Sequence, residues 1–313
     1  MTMHTILGAG GVIGRGLALE LRQYAEAIRL VSRHPKPVHG DEECVTADLT
    51  DAAEVEKALA GSKVAYLVAG LQYDIRVWQE QWPLIMENAI AACKRHGCKL
   101  VFFDNVYPYG LVDGPMTEET PFNPCSKKGE VRTRIAERLM NAVAHGEIEA
   151  LIARSADFYG PGTFNTFVQP MVFDKLQQGK KAAWLCDDRL PHSMTFTPDA
   201  ARAVALLGNA DDAFGKTWHL PTAANPPTGR EFIELVAKAL DTEADYRLLK
   251  PWMLRLVGLF NPLVRESMEM LYQLDHPYIF DSSKFEARFF RPTTYAQGIG
   301  RTVTFMRCGS QIG

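Results

Sequence analysis

A glycine-rich segment near the start of the chain decides its fold: Thr5-Ile6-Leu7-Gly8-Ala9-Gly10-Gly11-Val12-Ile13-Gly14. A short apolar strand enters the segment, and residues 15–24 are expected to leave it as a helix. The spacing Gly-x-x-Gly-x-x-Gly suits a tight turn, close approach of backbone to a pyrophosphate, and contact of helix with strand. The pyrophosphate would lie at the positive end of that helix. The segment therefore predicts a dinucleotide site rather than a flexible loop. The residues expected to contact the dinucleotide are Gly8, Gly11, Val12, Ile13 and Gly14.

The residues that follow the second predicted strand, 27–31, indicate which dinucleotide is bound. An NAD site usually has Asp or Glu here, which accepts hydrogen bonds from the ribose 2′-hydroxyl. This chain has Ser32 and Arg33 instead. An arginine can bind a 2′-phosphate through two hydrogen bonds, and a serine hydroxyl can add another donor. We therefore expect NADP(H) as the cofactor, with NAD as the alternative. A solvated loop charge is the other interpretation of Arg33.

Two further predicted strands end in residues that suit the adenosine half of a dinucleotide. Asp48 and Leu49 follow the third strand, and the fourth ends in Ala69, Gly70 and Leu71. The carboxyl ends of parallel strands line the cofactor crevice. Asp48 could accept a hydrogen bond from the adenine amino group, and the small residues would let backbone lie against the ribose. Ordinary helix caps and turns are the alternative.

The composition is that of an ordinary globular protein of 313 residues, 47 % hydrophobic and 23 % charged, with a net charge of −3. This near-neutral balance provides no electrostatic reason to expect nucleic acid or an anionic membrane as a partner. No apolar run approaches a membrane span, and the sequence enters a strand without a signal peptide. The six cysteines lack Cys-x-x-Cys or zinc-like spacing. We expect reduced thiols, no metal and a cytoplasmic location.

Strand and helix patterns alternate up to about residue 165, which predicts an α/β fold with a doubly wound parallel (Rossmann) sheet. The alternation then breaks down. We predict a dinucleotide-binding domain of residues 1–165, joined by 193–222 returning to the sheet. A smaller, mostly helical C-terminal substrate lobe would comprise residues 166–192 and 223–313.

Three apolar stretches leave alternatives open. The predicted helices at 78–95 and 129–144 each carry an apolar face, which could be core or could pair with a second copy in a homodimer. The methionine-rich stretch 251–274 is expected to be core. Its alternative is an adaptable apolar wall over a substrate pocket.

The order of these landmarks resembles the extended short-chain dehydrogenase/reductase superfamily, specifically the NAD(P)-dependent epimerase/dehydratase family. The resemblance covers nearly the whole chain. Besides the glycine segment, it rests on Asp48-Leu49, Ala69-Gly70, Asn88, Val106-Tyr107-Pro108-Tyr109-Gly110 and Thr197-Pro198-Asp199-Ala200-Ala201-Arg202. Residues 154–162 look like the family segment that touches the nicotinamide, which implies contacts from Ser155 and Phe158. The resemblance implies an oxidoreductase acting on a small carbonyl or sugar-derived substrate.

The family's catalytic residues are missing where the resemblance would place them. The family uses Ser or Thr at the end of the fifth strand and Tyr-x-x-x-Lys at the start of the next helix, where the tyrosine exchanges a proton with the substrate. Here the serine position falls on Asp104-Asn105, and the tyrosine and lysine positions fall on Lys128 and Arg132. These two residues share a helix face because they are four apart.

Three hypotheses follow from an intact binding loop beside an altered catalytic set. The first is an enzyme with Lys128 or Tyr107 as proton donor, Asn105 in place of serine, and Arg132 holding the nicotinamide ribose or a substrate anion. Lys128 is also expected to contact the cofactor. The second is a catalytically silent NADP(H)-binding sensor or scaffold. The third is an NAD-retaining sugar epimerase or dehydratase, against which the missing acidic residue counts. A solvated helix start is the alternative for Lys128 and Arg132, and loop packing is the alternative for Tyr107.

Overall fold

The structure is a computed structural model that describes residues 2–164 and 166–309. The chain falls into two compact units. The first comprises Met1–Pro108, Lys127–Ser155 and Ala200–Leu220. The second comprises Tyr109–Ser126, Ala156–Asp199 and Pro221–Gly313.

The strands and helices follow the alternation expected from the sequence. The strands are β1 (Met3–Leu7), β2 (Ala27–Ser32), β3 (Glu43–Thr46), β4 (Ser62–Leu67), β5 (Lys99–Asp104), β6 (Pro115–Met116), β7 (Ala150–Arg154), β8 (Asp157–Tyr159), β9 (Ala182–Leu185), β10 (Met194–Phe196), β11 (Thr217–His219), β12 (Tyr246–Leu249) and β13 (Ile279–Phe280). The helices are α1 (Val12–Leu21), α2 (Ala52–Leu59), α3 (Ile75–His96), α4 (Lys127–Ala144), α5 (Asp174–Gln177), α6 (Thr197–Leu207), α7 (Gly229–Leu240), α8 (Pro251–Gly258), α9 (Pro262–Ser267), α10 (Ser283–Glu286) and α11 (Tyr295–Gly309).

The first unit contains a seven-stranded sheet in the order β11-β7-β5-β4-β1-β2-β3, and every neighbouring pair is parallel. This order confirms the doubly wound sheet. All five residues of β1 and all five of β7 are buried, because a parallel sheet is covered on both faces. The strand order reverses between β1 and β4, and ligands of such sheets bind at that point, beyond the carboxyl ends of the strands.

The apolar faces of α3 and α4 lie in the core of the first unit. Trp82, Met86 and Ile90 from α3 and Ile135 and Leu139 from α4 are buried in one cluster with β4, β5 and β7. The apolar faces of α3 and α4 are therefore buried in the core of a single chain, as one of the two alternatives predicted. A homodimer through α3 and α4 would need their remaining exposed side chains, and it stays a prediction.

The second unit contains three parallel two-stranded pairs, β8 with β10, β9 with β12, and β6 with β13. Its core is rich in aromatic side chains, among them Tyr159, Phe173, Trp184, Phe196 and Phe232. Because β8 pairs with β10 here, residues 156–164 belong to this unit, whereas the predicted first domain extends to residue 165.

The apolar stretch 251–274 forms α8, α9 and a 3₁₀ turn at Met268–Gln273. Leu254 and Met270 are buried, but most of the large apolar side chains of α8 and α9 are exposed. The expectation that the whole stretch is core is therefore wrong.

Within residues 2–164 and 166–309, no helix has both the length and the apolar character needed to cross a bilayer. The same residues contain no group of three or more His, Cys, Asp and Glu side chains arranged to hold a metal ion. The six cysteines are free.

Candidate functional site

The glycine turn after β1 is shaped by two close backbone approaches. Gly8 has a φ of +93°, a conformation that side chains rarely adopt, and its N–H donates to the carbonyl of Val31 at 2.9 Å. A Cβ on Gly8 would lie 2.4 Å from the Cα of Ala69, which follows β4. A Cβ on Gly14 would lie 2.8 Å from the Cα of Ala9. Glycine is therefore required at both positions for the turn to pack against its neighbours.

The other two glycines of the turn leave an open surface. A Cβ on Gly10 or Gly11 would meet nothing within 4 Å. Gly11 is the N-cap of α1 and provides no side-chain partner for the first-turn N–H groups, and the first turn holds no acidic residue. These N–H groups and the positive helix end suit an anion. Val12 is half-buried and Ile13 is buried behind them. The turn thus fits a dinucleotide pyrophosphate.

The ends of β2 and β3 present one exposed cation and one exposed carboxylate. Hydrogen bonds from the backbone N–H and hydroxyl of Thr50 lower the pKa of Asp48, and the charge of Arg33 lowers it further. Arg33 is exposed, whereas the Ser32 hydroxyl is buried and has no hydrogen-bond partner among the described residues. A buried hydroxyl without a partner is unfavourable. Arg33 and Ser32 are thus both placed at the strand end where the sequence predicts ribose recognition.

The end of β4 lies beside the glycine turn. Ala69 is the residue that Gly8 approaches, and a Cβ on Gly70 would meet nothing within 4 Å. Leu71 is partly buried against the core of the first unit. Asn88 of α3 donates to the carbonyl of Leu49 at 3.0 Å and so joins α3 to the loop after β3. The residues predicted to contact the adenosine therefore all lie beyond the carboxyl ends of the parallel strands.

Lys128, Tyr73 and Tyr107 form a cluster at the ends of β4 and β5. Lys128 is fully buried, and its Nζ lies 4.5 Å from the centre of the Tyr73 ring. The hydroxyls of Tyr73 and Tyr107 are 3.4 Å apart, a long hydrogen bond. The Tyr107 ring stacks on Trp78, with ring centres 6.1 Å apart. Two predicted residues are thus brought together by a third, Tyr73, which no sequence motif identified.

Arg132 is held inside the first unit by an ion pair. Its Nε donates to Asp104 Oδ1 at 2.7 Å, and its guanidinium lies 4.3 Å from the centre of the Trp82 ring. Arg154 lies 3.3 Å from Asp104 Oδ2, and all three charged side chains are buried. The Arg132–Asp104 ion pair fixes the first turns of α4 against β5 and so positions Lys128. Ligand binding by Arg132 stays a prediction.

The remaining predicted residues are divided between the two units. Asn105 Oδ1 accepts from the N–H of Tyr107 at 3.0 Å and so shapes the turn that carries this tyrosine. Ser155 is buried at the end of β7, where its N–H donates to the carbonyl of Asp104 at 3.1 Å. Phe158 lies in β8, within the second unit.

A parallel sheet with its strand order reversed beside a glycine turn and an open helix N-terminus defines a dinucleotide-binding Rossmann unit. A family model described as the NAD dependent epimerase/dehydratase family matches residues 4–219. The chain belongs to this family, as the sequence resemblance predicted.

Solved structures and one curated relative agree with this placement. A dTDP-glucose 4,6-dehydratase from Streptomyces venezuelae, solved with NAD, superposes with a TM-score of 0.81 at 17 % identity, covering 99 % of this chain and 98 % of its own. UDP-glucose 4-epimerase from Thermus thermophilus, also solved with NAD, reaches 0.78 at 17 % identity, covering 98 % and 99 %. Such identities show the fold alone.

The curated relative is 3β-hydroxysteroid-dehydrogenase/decarboxylase isoform 2 of Arabidopsis thaliana. It is 23 % identical over 309 residues, which cover 85 % of this chain and 53 % of the relative. The chain therefore spans about half the length of this protein.

Proposed function

We propose that the chain is an NADP(H)-dependent oxidoreductase that acts on a carbonyl or sugar-derived small molecule with a catalytic set unlike that usual for its family. The observation that carries the proposal is the buried Lys128 against Tyr73, with Tyr107 beside it. This cluster shares the first unit with the open glycine turn after β1. Proton-bearing groups and a dinucleotide cradle on one sheet edge are what hydride transfer to a carbonyl requires.

The bound cofactor would supply or accept the hydride. The protein's own task is then the proton and the charge at the substrate oxygen. The Lys128 ammonium can donate a proton, and the hydroxyls of Tyr73 and Tyr107 can each donate or accept one. The positive charge of Lys128 would also stabilise negative charge that develops on the substrate oxygen. Asn105 holds the Tyr107 turn, and the Arg132–Asp104 pair holds the helix that carries Lys128.

The preference for NADP(H) over NAD is supported by the residues after β2. Arg33 is exposed there, Ser32 has an unpartnered hydroxyl, and neither is a carboxylate that would repel a 2′-phosphate. Solved relatives carry NAD, so the family's fold accepts the unphosphorylated cofactor as well. The cytoplasmic location expected from the composition is part of the same proposal.

A catalytically silent NADP(H)-binding protein is the second candidate. It is favoured by Arg132, which the sequence resemblance places at the family's catalytic lysine position and which is hydrogen-bonded to the buried Asp104. In this candidate the cofactor would be bound without turnover.

The two candidates are separated by a turnover assay. We expect purified protein with NADPH to reduce at least one member of a panel of aldehydes, ketones and nucleotide-linked keto sugars. Tyr73→Phe should then lower this rate by about 10²–10⁴-fold if its hydroxyl transfers the proton. Tyr24→Phe, which alters an exposed tyrosine on the loop after α1, is the matched control and should react like the wild type. Binding of NADPH without conversion of any compound would favour the silent protein.

A further inference from the structure

The hairpin of α8 and α9 exposes large apolar side chains at a density not matched in the rest of the described chain. Of thirteen exposed large hydrophobic residues, six lie within twelve positions: Trp252, Leu256, Val257, Leu259, Phe260 and Leu263. Phe260 is 91 % exposed at the turn between the helices. Exposed large apolar side chains concentrated in this way mark an interaction site.

The turn that carries these side chains is held in a defined conformation. Asn261 is the N-cap of α9, and its Oδ1 accepts from the N–H groups of Leu263 and Val264 at 3.0 and 3.2 Å. Gly258 ends α8, and a Cβ there would lie 3.4 Å from the Cα of Arg265, so the two helices approach closely. The exposure of Phe260 is therefore a feature of an ordered tip.

The same segment carries a strong local positive charge. From the start of β12 to the end of α9, residues 246–267 contain one acidic side chain, Glu266, and four basic side chains: Arg247, Lys250, Arg255 and Arg265. All four are exposed. The whole chain has a net charge of −3, so this segment is opposite in sign to the rest of the molecule.

We propose that the α8–α9 hairpin attaches the protein to the surface of an anionic lipid bilayer. Trp252, Leu259 and Phe260 would enter the boundary between head groups and acyl chains, while the basic side chains contact anionic head groups. Apolar Trp, Phe and Leu beside Lys and Arg are the composition that places short helices in a membrane interface. The long basic side chains can bury their stems and keep their charges among the head groups.

The positive charge of this segment favours an anionic lipid surface over a second copy of the chain as the partner of the α8–α9 hairpin. Two copies facing each other through residues 246–267 would bring eight basic side chains together with only two acidic ones. An anionic bilayer instead offers opposite charge around an apolar layer, which matches both properties of the hairpin.

The test is co-sedimentation of the full chain with vesicles of phosphatidylcholine that contain about 30 % phosphatidylserine, against phosphatidylcholine alone. We expect binding to the anionic vesicles, weakened by salt. The double variant Leu259→Ser/Phe260→Ser should lower the apparent affinity at least about ten-fold, since it removes the inserted apolar groups. Arg255→Glu should lower it by about five-fold or more. Leu84→Ser, which alters a leucine 48 % exposed on α3, is the matched control and should bind like the wild type.

Three outcomes would overturn the proposal. One is equal sedimentation with anionic vesicles and without vesicles. Another is equal binding of the wild type and the double variant, with both shown to be folded by their thermal unfolding. The third is a wild type that is dimeric in light scattering, becomes monomeric in the double variant, and does not bind vesicles. That last result would assign the hairpin to self-association.

Discussion

Replacing Lys128 by alanine should lower turnover by about 10²–10⁴-fold, the usual contribution of a positioned proton donor. Lys128 is fully buried with its Nζ over the ring of Tyr73, so its loss removes the one cation of the Lys128, Tyr73 and Tyr107 cluster. NADPH affinity should stay within a few-fold, because the cofactor contacts proposed here lie mainly in the glycine turn and after β2. The measurement is kcat with the best substrate of the panel, together with calorimetric NADPH binding.

The neighbouring lysine provides the control for this variant. Lys127 is exposed at the first position of α4, so Lys127→Ala removes the same charge from an exposed position instead of a buried one. It should leave kcat near the wild-type value. If Lys128→Ala retains wild-type turnover while its thermal unfolding shows a native fold, Lys128 has no part in the reaction.

Replacing Gly8 by alanine should destabilise the first unit by about 3 kcal/mol or more and abolish measurable NADPH binding. The alanine would have to adopt a φ of +93°, and its Cβ would overlap the backbone of Ala69 at 2.4 Å. Because the atoms that the new Cβ would meet belong to the backbone of Ala69, no change of side-chain rotamer can relieve the overlap. The ends of β1 and β4 would therefore have to move apart at the expected cofactor site. Urea unfolding gives the change in stability, and calorimetry gives the loss of binding.

The adjacent glycine is a matched control for this second variant. Gly10→Ala places the same methyl group where nothing lies within 4 Å, and its φ is outside the positive range. Its free energy of unfolding should stay within about 0.5–1 kcal/mol of the wild type. Equal stability of Gly8→Ala and Gly10→Ala would show that the turn does not have the conformation described.

Much of the fold could be predicted because its signals are local. Apolar strands, amphipathic helices and the glycine spacing are properties of short segments, and β2 forms at Ala27–Ser32, where the sequence predicts a strand over residues 27–31. The capping of α2 is equally local, since Asp51 accepts from the N–H groups of Ala53 and Glu54. The right-handed connection of parallel strands then restricts the strand orders that can form.

The catalytic cluster could be predicted only in part, because its contacts join distant segments. The hydroxyls of Tyr73 and Tyr107 meet across 34 residues, and Arg132 meets Asp104 across 28. A helix-face argument places Lys128 and Arg132 side by side but does not show that both are buried. The tryptophan that covers Arg132 comes from another helix, α3.

The charge of residues 246–267 in the second unit shows a limit of predictions from overall composition. A net charge of −3 for the whole chain provides no reason to expect an anionic membrane, yet residues 246–267 hold four basic side chains and only one acidic side chain. An average over 313 residues conceals a segment of this length. The apolar character of 251–274 was visible in the sequence, but its exposure depends on packing that periodicity does not specify.

The most direct test of the account is a calorimetric titration of cofactor-free protein with NADPH and then with NADH. We predict tight NADPH binding and much weaker NADH binding, and a loss of about 1.5–3 kcal/mol in NADPH affinity for Arg33→Ala with little change for NADH. Tighter binding of NADH, or equal effects of Arg33→Ala on both cofactors, would contradict the NADP(H) assignment and favour an NAD-retaining epimerase or dehydratase. Binding of neither cofactor would contradict the central claim that the glycine turn is a dinucleotide site.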